Sequence, residues 1–115
     1  MVQVRSPNVA ADPEGEAPVC RHFQAAARLI GKRWNMQLIR ALESGVTRFA
    51  DLRAGVAPIS DNLLSERLKE LEAEGIVTRT VSPDTPVRIA YGLTDRGRDL
   101  GRVLEELAGW AERWA

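Results

Sequence analysis

Cys20 and His22 stand two residues apart and are the only cysteine and the only histidine of the 115-residue chain. Together they offer a reactive thiol and a base, but no acid is placed to orient the imidazole, so an enzyme-type nucleophile–base pair is not assembled. A single cysteine cannot close a disulfide within the chain. One cysteine and one histidine cannot build the four-ligand shell of a structural zinc site. No Gly-rich phosphate loop, HExxH or GxSxG pattern occurs. The chain therefore reads as a non-enzyme with no catalytic residues, no metal and no cofactor. For Cys20 two readings remain. Its place at or just before a helix start, beside Arg21, suits a thiol that is oxidised or alkylated. It also suits a small buried hydrophobe.

A second group of side chains suits the edges of base pairs and phosphates. Ser60, Asp61, Asn62 and Ser65 fall in the first turns of an amphipathic segment, followed by Arg67 and Lys69. Asparagine can pair with adenine through two hydrogen bonds, and arginine can read guanine or hold a phosphate. Arg48 and Arg53 precede this segment, and Arg79 and Arg88 follow it. The formal net charge is zero, from 16 basic and 16 acidic residues, which argues against steering by the molecule as a whole. The distribution is uneven, however. Residues 21–53 carry seven Lys or Arg against only Glu43 and Asp51, a local charge of +5. Within that block Arg28 and Arg40 are the arginines most suited to pairing with local acids.

These side chains need elements to hold them. The length predicts one domain. Residues 1–19, with Pro7, Pro13 and Pro18 and no periodic apolar pattern, predict a disordered arm. From Cys20 to Gly31, Phe23, Ala26, Ala27 and Ile30 recur at helical spacing. A second helix carries Trp34, Leu38 and Leu42 on one stripe, with Ile39 and Ala41 beside it, and closes at Gly45. Thr47 is the expected cap of a short third helix with Phe49, Ala50 and Leu52 facing inward. Gly55 and Pro58 break it. Ser60 then opens a helix over 60–74 with Leu64, Leu68 and Leu71 buried and Gly75 as its stop. Next the period falls to two: Ile76–Val81 and Val87–Leu93 predict a hairpin around a proline-rich tip. Thr94 caps a last helix to about Trp114.

Two short helices joined by a brief turn and followed by a hairpin form a winged helix-turn-helix. The fold class is mainly α with a small β-hairpin, and the helix over 60–74 is the one suited to the DNA major groove. In the last helix Leu100, Val103, Leu107, Trp110 and Trp114 step by three and four. That seam is wider than packing on one small core requires.

The block Phe49-Ala-Asp-Leu52-Arg53, then Ile59-Ser60, then Leu64 to Glu72 closely resembles the HxlR-type winged-helix regulators, which are related to the MarR type. The likeness continues through Gly75-Ile76-Val77-Thr78-Arg79 and Pro86 to Gly97. Upstream, Ile30-Gly31-Lys32-Arg33-Trp34 is similar to the family's Gly-basic-Trp signature, and Cys20 falls at its usual N-terminal cysteine. Lys32 and Arg21 depart from the pattern, standing where a small residue and a proline are frequent. The resemblance spans about residues 20–114.

The resemblance implies a homodimeric transcription regulator that binds a pseudo-palindromic operator in double-stranded DNA. It implies a domain over 20–115, with the recognition helix at about 60–74, the wing at about 76–93 and a dimerisation helix at about 94–114. The DNA-binding set would be Arg48, Arg53, Ser60, Asp61, Asn62, Ser65, Arg67, Lys69, Arg79 and Arg88. The dimer would form through the N- and C-terminal helices, with Phe23, Leu100, Val103, Leu107, Trp110 and Trp114 at the interface. Some members sense oxidants or electrophiles through a cysteine placed like Cys20. A small-molecule pocket near Trp34, Trp110 or Phe23 is the competing sensor, and a protein-interaction module without DNA binding is the competing function. No ~20-residue apolar run predicts a membrane span. Without a basic-then-apolar start, the expected location is the cytoplasm.

Overall fold

The computed structural model describes residues 19–115. The arm expected over 1–19 therefore lies, apart from Val19, outside the described residues. The chain divides into two compact units, Met1–Lys32 and Arg33–Ala115.

The first unit contributes helix α1, Arg21–Gly31. Cys20 caps it in an extended conformation, and its Sγ accepts from the Phe23 N–H at 3.4 Å. Gln24 donates from its side-chain amide to the Val19 carbonyl at 2.9 Å, closing the chain over the helix start. No residue of α1 is buried, and Phe23 is 62% exposed.

The second unit runs α2 (Asn35–Glu43), α3 (Phe49–Gly55), α4 (Asp61–Ala73), β1 (Val77–Ser82), β2 (Arg88–Leu93) and α5 (Asp95–Trp114). The two strands pair antiparallel from Val77 opposite Leu93 to Ser82 opposite Arg88. This is the winged helix-turn-helix. Its core gathers Leu38, Ile39 and Leu42 of α2, Leu52 of α3, Leu64, Leu68 and Leu71 of α4, then Ile76, Val77 and Leu104. Val56 and Ile59 are also buried, so the turn between α3 and α4 is anchored by its own side chains. Each buried leucine or isoleucine contributes about 1.5–3 kcal/mol relative to exposure, which makes this stripe the main force holding α4 in place.

Helix ends follow from local chemistry. Gly75 takes φ +76°, its N–H bonds to the Glu72 carbonyl and the Ile76 N–H reaches back to Leu71. That left-handed step closes α4 at little steric cost only for glycine. Thr94 caps α5 by accepting from the Gly97 N–H at 2.9 Å, while its own hydroxyl donates to the Gly75 carbonyl. One threonine thus fastens the end of the wing and the start of α5 to the end of α4.

Four local expectations are corrected. Thr47 does not cap α3. The cap is Arg48, in extended conformation and without a side-chain bond, while the Thr47 carbonyl accepts from the Tyr91 N–H of β2 at 2.9 Å. Ala50 is exposed, not inward. Trp34 is not the first residue of the α2 stripe: it precedes the helix at φ +81°. The strands begin one residue later than expected, at Val77 and Arg88.

Candidate nucleic-acid interface and cysteine site

Helix α4 presents two ranks of side chains. Leu64, Leu68 and Leu71 point into the core, and Asp61, Asn62, Glu66 and Lys69 are exposed, with Ser65 half-buried. Spacings of three and four put Asn62, Glu66 and Lys69 on one outward line. Ser60 accepts from the Leu63 N–H at 3.1 Å and caps the helix. The first turn, where a recognition helix meets base edges, is therefore fixed by a cap and open to solvent.

Arg48 and Arg53 lie at the two ends of α3, and both are exposed. Arg53 Nη1 stands 3.2 Å from Asp61 Oδ1, with both side chains more than half exposed. This pair links α3 to the first turn of α4 and places a cation beside the acid that opens α4. An exposed pair of this kind contributes about 0–1 kcal/mol to stability.

Arg67 is placed otherwise than the sequence suggests. Its side chain is only 13% exposed, and Nε donates to the Arg33 carbonyl at 3.0 Å. It turns away from the outward rank. Arg79 and Arg88 are both exposed on the wing but on opposite faces. Arg79 stands opposite Tyr91, on the side of Val77 and Leu93, and Arg88 stands opposite Ser82, on the side of Thr78 and Thr80. Arg40 pairs with Glu43 at 2.9 Å, as its sequence setting suggests. Glu66, four residues after Asn62, joins the exposed line of α4, a position that its spacing makes readable in the sequence.

The outer line of α5 is largely solvent-exposed: Val103 is 57% exposed, Leu107 44%, Trp110 54% and Trp114 71%, while Leu100 is half-buried. Gly97, Gly101 and Leu104 occupy the opposite, buried side. Trp34 is half-buried, with the Arg33 guanidinium 4.7 Å above its ring. Cys20 is half-buried in its own unit, at the cap of α1. Among the described residues no cluster of three His, Cys, Asp or Glu could hold a metal ion, and no helix is long and apolar enough to cross a membrane.

The pattern that defines the HxlR-like helix-turn-helix family matches residues 29–115. The chain belongs to that family. It is a transcriptional regulator built on a helix-turn-helix, as are its relatives. It is 43% identical over 99 residues to the HTH-type transcriptional regulator YvaP of Bacillus subtilis, covering 86% of this chain and 92% of that one. It is 42% identical over 96 residues to the HTH-type transcriptional regulator YodB of the same organism, covering 84% and 86%.

The reduced form of YodB superposes with a TM-score of 0.75 at 41% identity, over 84% of this chain and 95% of that one. The same protein has been solved diamide-treated and quinone-bound, with TM-scores of 0.72 and 0.70. The redox regulator HypR in its oxidised form gives a TM-score of 0.76 at 31% identity, over 82% and 97%. These neighbours confirm the winged-helix class expected from the order of elements.

Proposed function

We propose that this HxlR-like regulator binds a pseudo-palindromic operator as a homodimer, reading bases with the first turns of α4. The observation that carries this reading is the outward rank Asp61, Asn62, Glu66 and Lys69 behind the Ser60 cap, with Arg53 of α3 beside Asp61 and Arg48 exposed at the start of α3. Asn62 is matched to adenine, and the acids Asp61 and Glu66 to the cytosine amino group. Ser65 and Lys69 extend the contact along the groove, and Arg48 and Arg53 supply phosphate contacts. Arg79 and Arg88 act from opposite faces of the wing, so a single groove is reached more directly by one of them than by the other. Arg67, expected to read guanine or hold a phosphate, is here bonded to the Arg33 carbonyl, away from the outward rank.

The domain is residues 20–115, with α4 as recognition helix, the hairpin as wing and α5 as dimerisation helix. Dimer formation covers the exposed seam of α5, from Leu100 and Val103 to Leu107, Trp110 and Trp114, together with Phe23 of α1. Two-fold symmetry then sets two copies of α4 about one DNA turn apart. A DNA-binding regulator of this kind works in the cytoplasm.

Cys20 is the proposed switch. The relatives solved in diamide-treated, quinone-bound and oxidised forms support this, as does the place of the free, half-buried Cys20 at the start of α1. With diamide, one Cys20 thiol from each protomer gives up its hydrogen to form a disulfide, and diamide is reduced to the hydrazine. With a quinone, the thiol adds to the ring and the product is a substituted hydroquinone.

The test is enrichment of duplexes from a random library by the wild-type protein, followed by a salt titration of the enriched sequence. A salt-sensitive specific complex is expected. A protein-interaction module would enrich nothing. Operator affinity should then change on diamide or quinone treatment in wild type but not in Cys20→Ser. Unchanged affinity in the treated wild type removes the switch and leaves a small-molecule effector as the remaining trigger.

A further inference from the structure

Arg67 lies on the recognition helix yet is not part of its outward rank. Its Nε donates across 34 positions of chain to the Arg33 carbonyl at 3.0 Å, and Nη1 faces Glu70 at 3.4 Å and Glu66 at 3.9 Å. The accepting carbonyl leads directly into Trp34, the one non-glycine residue at positive φ among the described residues. A left-handed residue bearing a Cβ persists only where its surroundings hold it. Here Arg33 is held at both ends, with its carbonyl bonded to Arg67 and its guanidinium stacked over the Trp34 ring at 4.7 Å. Trp34 in turn starts α2, where its carbonyl accepts from the Leu38 N–H at 2.9 Å, and α2 packs on both α3 and α5. The middle of α4 is thereby tied to the entry of the helix that organises the core.

We propose that Arg67 is a positioning residue for DNA reading: its bond to the Arg33 carbonyl fixes the rotation of α4 about its own axis. Leucines alone locate the helix against the core, but apolar contacts are non-directional and tolerate small rotations. A charge-assisted hydrogen bond has a direction. It holds Asn62, Glu66 and Lys69 facing outward as a set. The inference rests on the DNA-binding reading above.

Its test uses three variants of the full chain and two duplexes: one enriched from a random library by the wild type, and a scrambled duplex of the same composition. Arg67→Gln places an N–H donor the same number of bonds from Cα as Arg67 Nε, but without charge. Arg67→Lys keeps the charge and moves the donor. Arg67→Met removes both. The expected result is that Gln binds the enriched duplex within about twofold of wild type, while Met and Lys lose about tenfold. Scrambled-duplex affinity and the slope of log affinity against log salt should stay at wild-type values for all three. Should the Met variant not fold by circular dichroism, the Gln–Lys comparison decides alone. Retention in Lys with loss in Gln, and a slope shallower by about 0.9 in Gln, would make Arg67 a phosphate contact and overturn the proposal. Wild-type affinity in every folded variant would overturn it too. If the wild type enriches no duplex, the DNA-binding reading itself falls.

Discussion

At the scale of single residues, side chains of one type serve opposite ends. Arg53 faces solvent beside Asp61, whereas Arg67, fourteen positions on, is folded back onto a carbonyl. Periodicity separates a helix's buried side from its exposed side, but Arg67 sits on the flank, where a long side chain can turn either way. Its direction depends on a carbonyl 34 residues distant, which no local pattern encodes. The left-handed Trp34 was hidden for a similar reason, since local preference disfavours it and only the surrounding contacts hold it. Gly97 was legible only as a small residue after a cap. In the fold, a Cβ there would lie 2.2 Å from the Ile76 carbonyl oxygen, a backbone atom that cannot swing aside. Gly97→Ala is therefore expected to destabilise the protein by about 1–3 kcal/mol, read from the midpoint of denaturant unfolding. An unchanged midpoint would mean that the junction between wing and α5 yields easily.

At the scale of elements, most of the architecture could be read in advance. Leu64, Leu68 and Leu71, the cap Ser60 and the stop Gly75 define α4 from its sequence, and the change of period after Gly75 defines the wing. Ser60→Ala should lower stability by about 1 kcal/mol and fray the first turn. Slower amide exchange at Leu63 than at free-peptide rates in the wild type, lost in the variant, is the signature to look for. Equal protection in both proteins would show that the cap is not what orders this turn. The start of α3 was less legible because Thr47 is a good capping residue by type. Its carbonyl is instead drawn to the Tyr91 N–H of β2, a tertiary contact that moves the cap to Arg48. The opposing faces of Arg79 and Arg88 depend on the hairpin register, which follows from how the long tip between Ser82 and Arg88 closes.

At the scale of the whole molecule, a single chain leaves the apolar seam of α5 uncovered. Trp110 and Trp114 are 54% and 71% exposed, and large aromatic surface of this kind is characteristic of interfaces. Trp110→Glu is expected to keep its helical circular dichroism and to sediment as a monomer at concentrations where the wild type is a dimer. A wild type that is itself monomeric would contradict the assigned seam. Net charge, zero over the chain, gave the weakest sequence signal. Its meaning lies in its distribution, with Arg53 beside Asp61 in the first turn of α4 and Arg48 at the start of α3, and under the proposed DNA-binding function affinity for unspecific DNA should be modest.

Hydroxyl-radical footprinting of the enriched duplex tests the central claim most directly. A homodimer reading DNA through α4 predicts two protected patches, related by two-fold symmetry and centred about one helical turn, ~34 Å, apart. A single patch, or two patches without that symmetry, would contradict it.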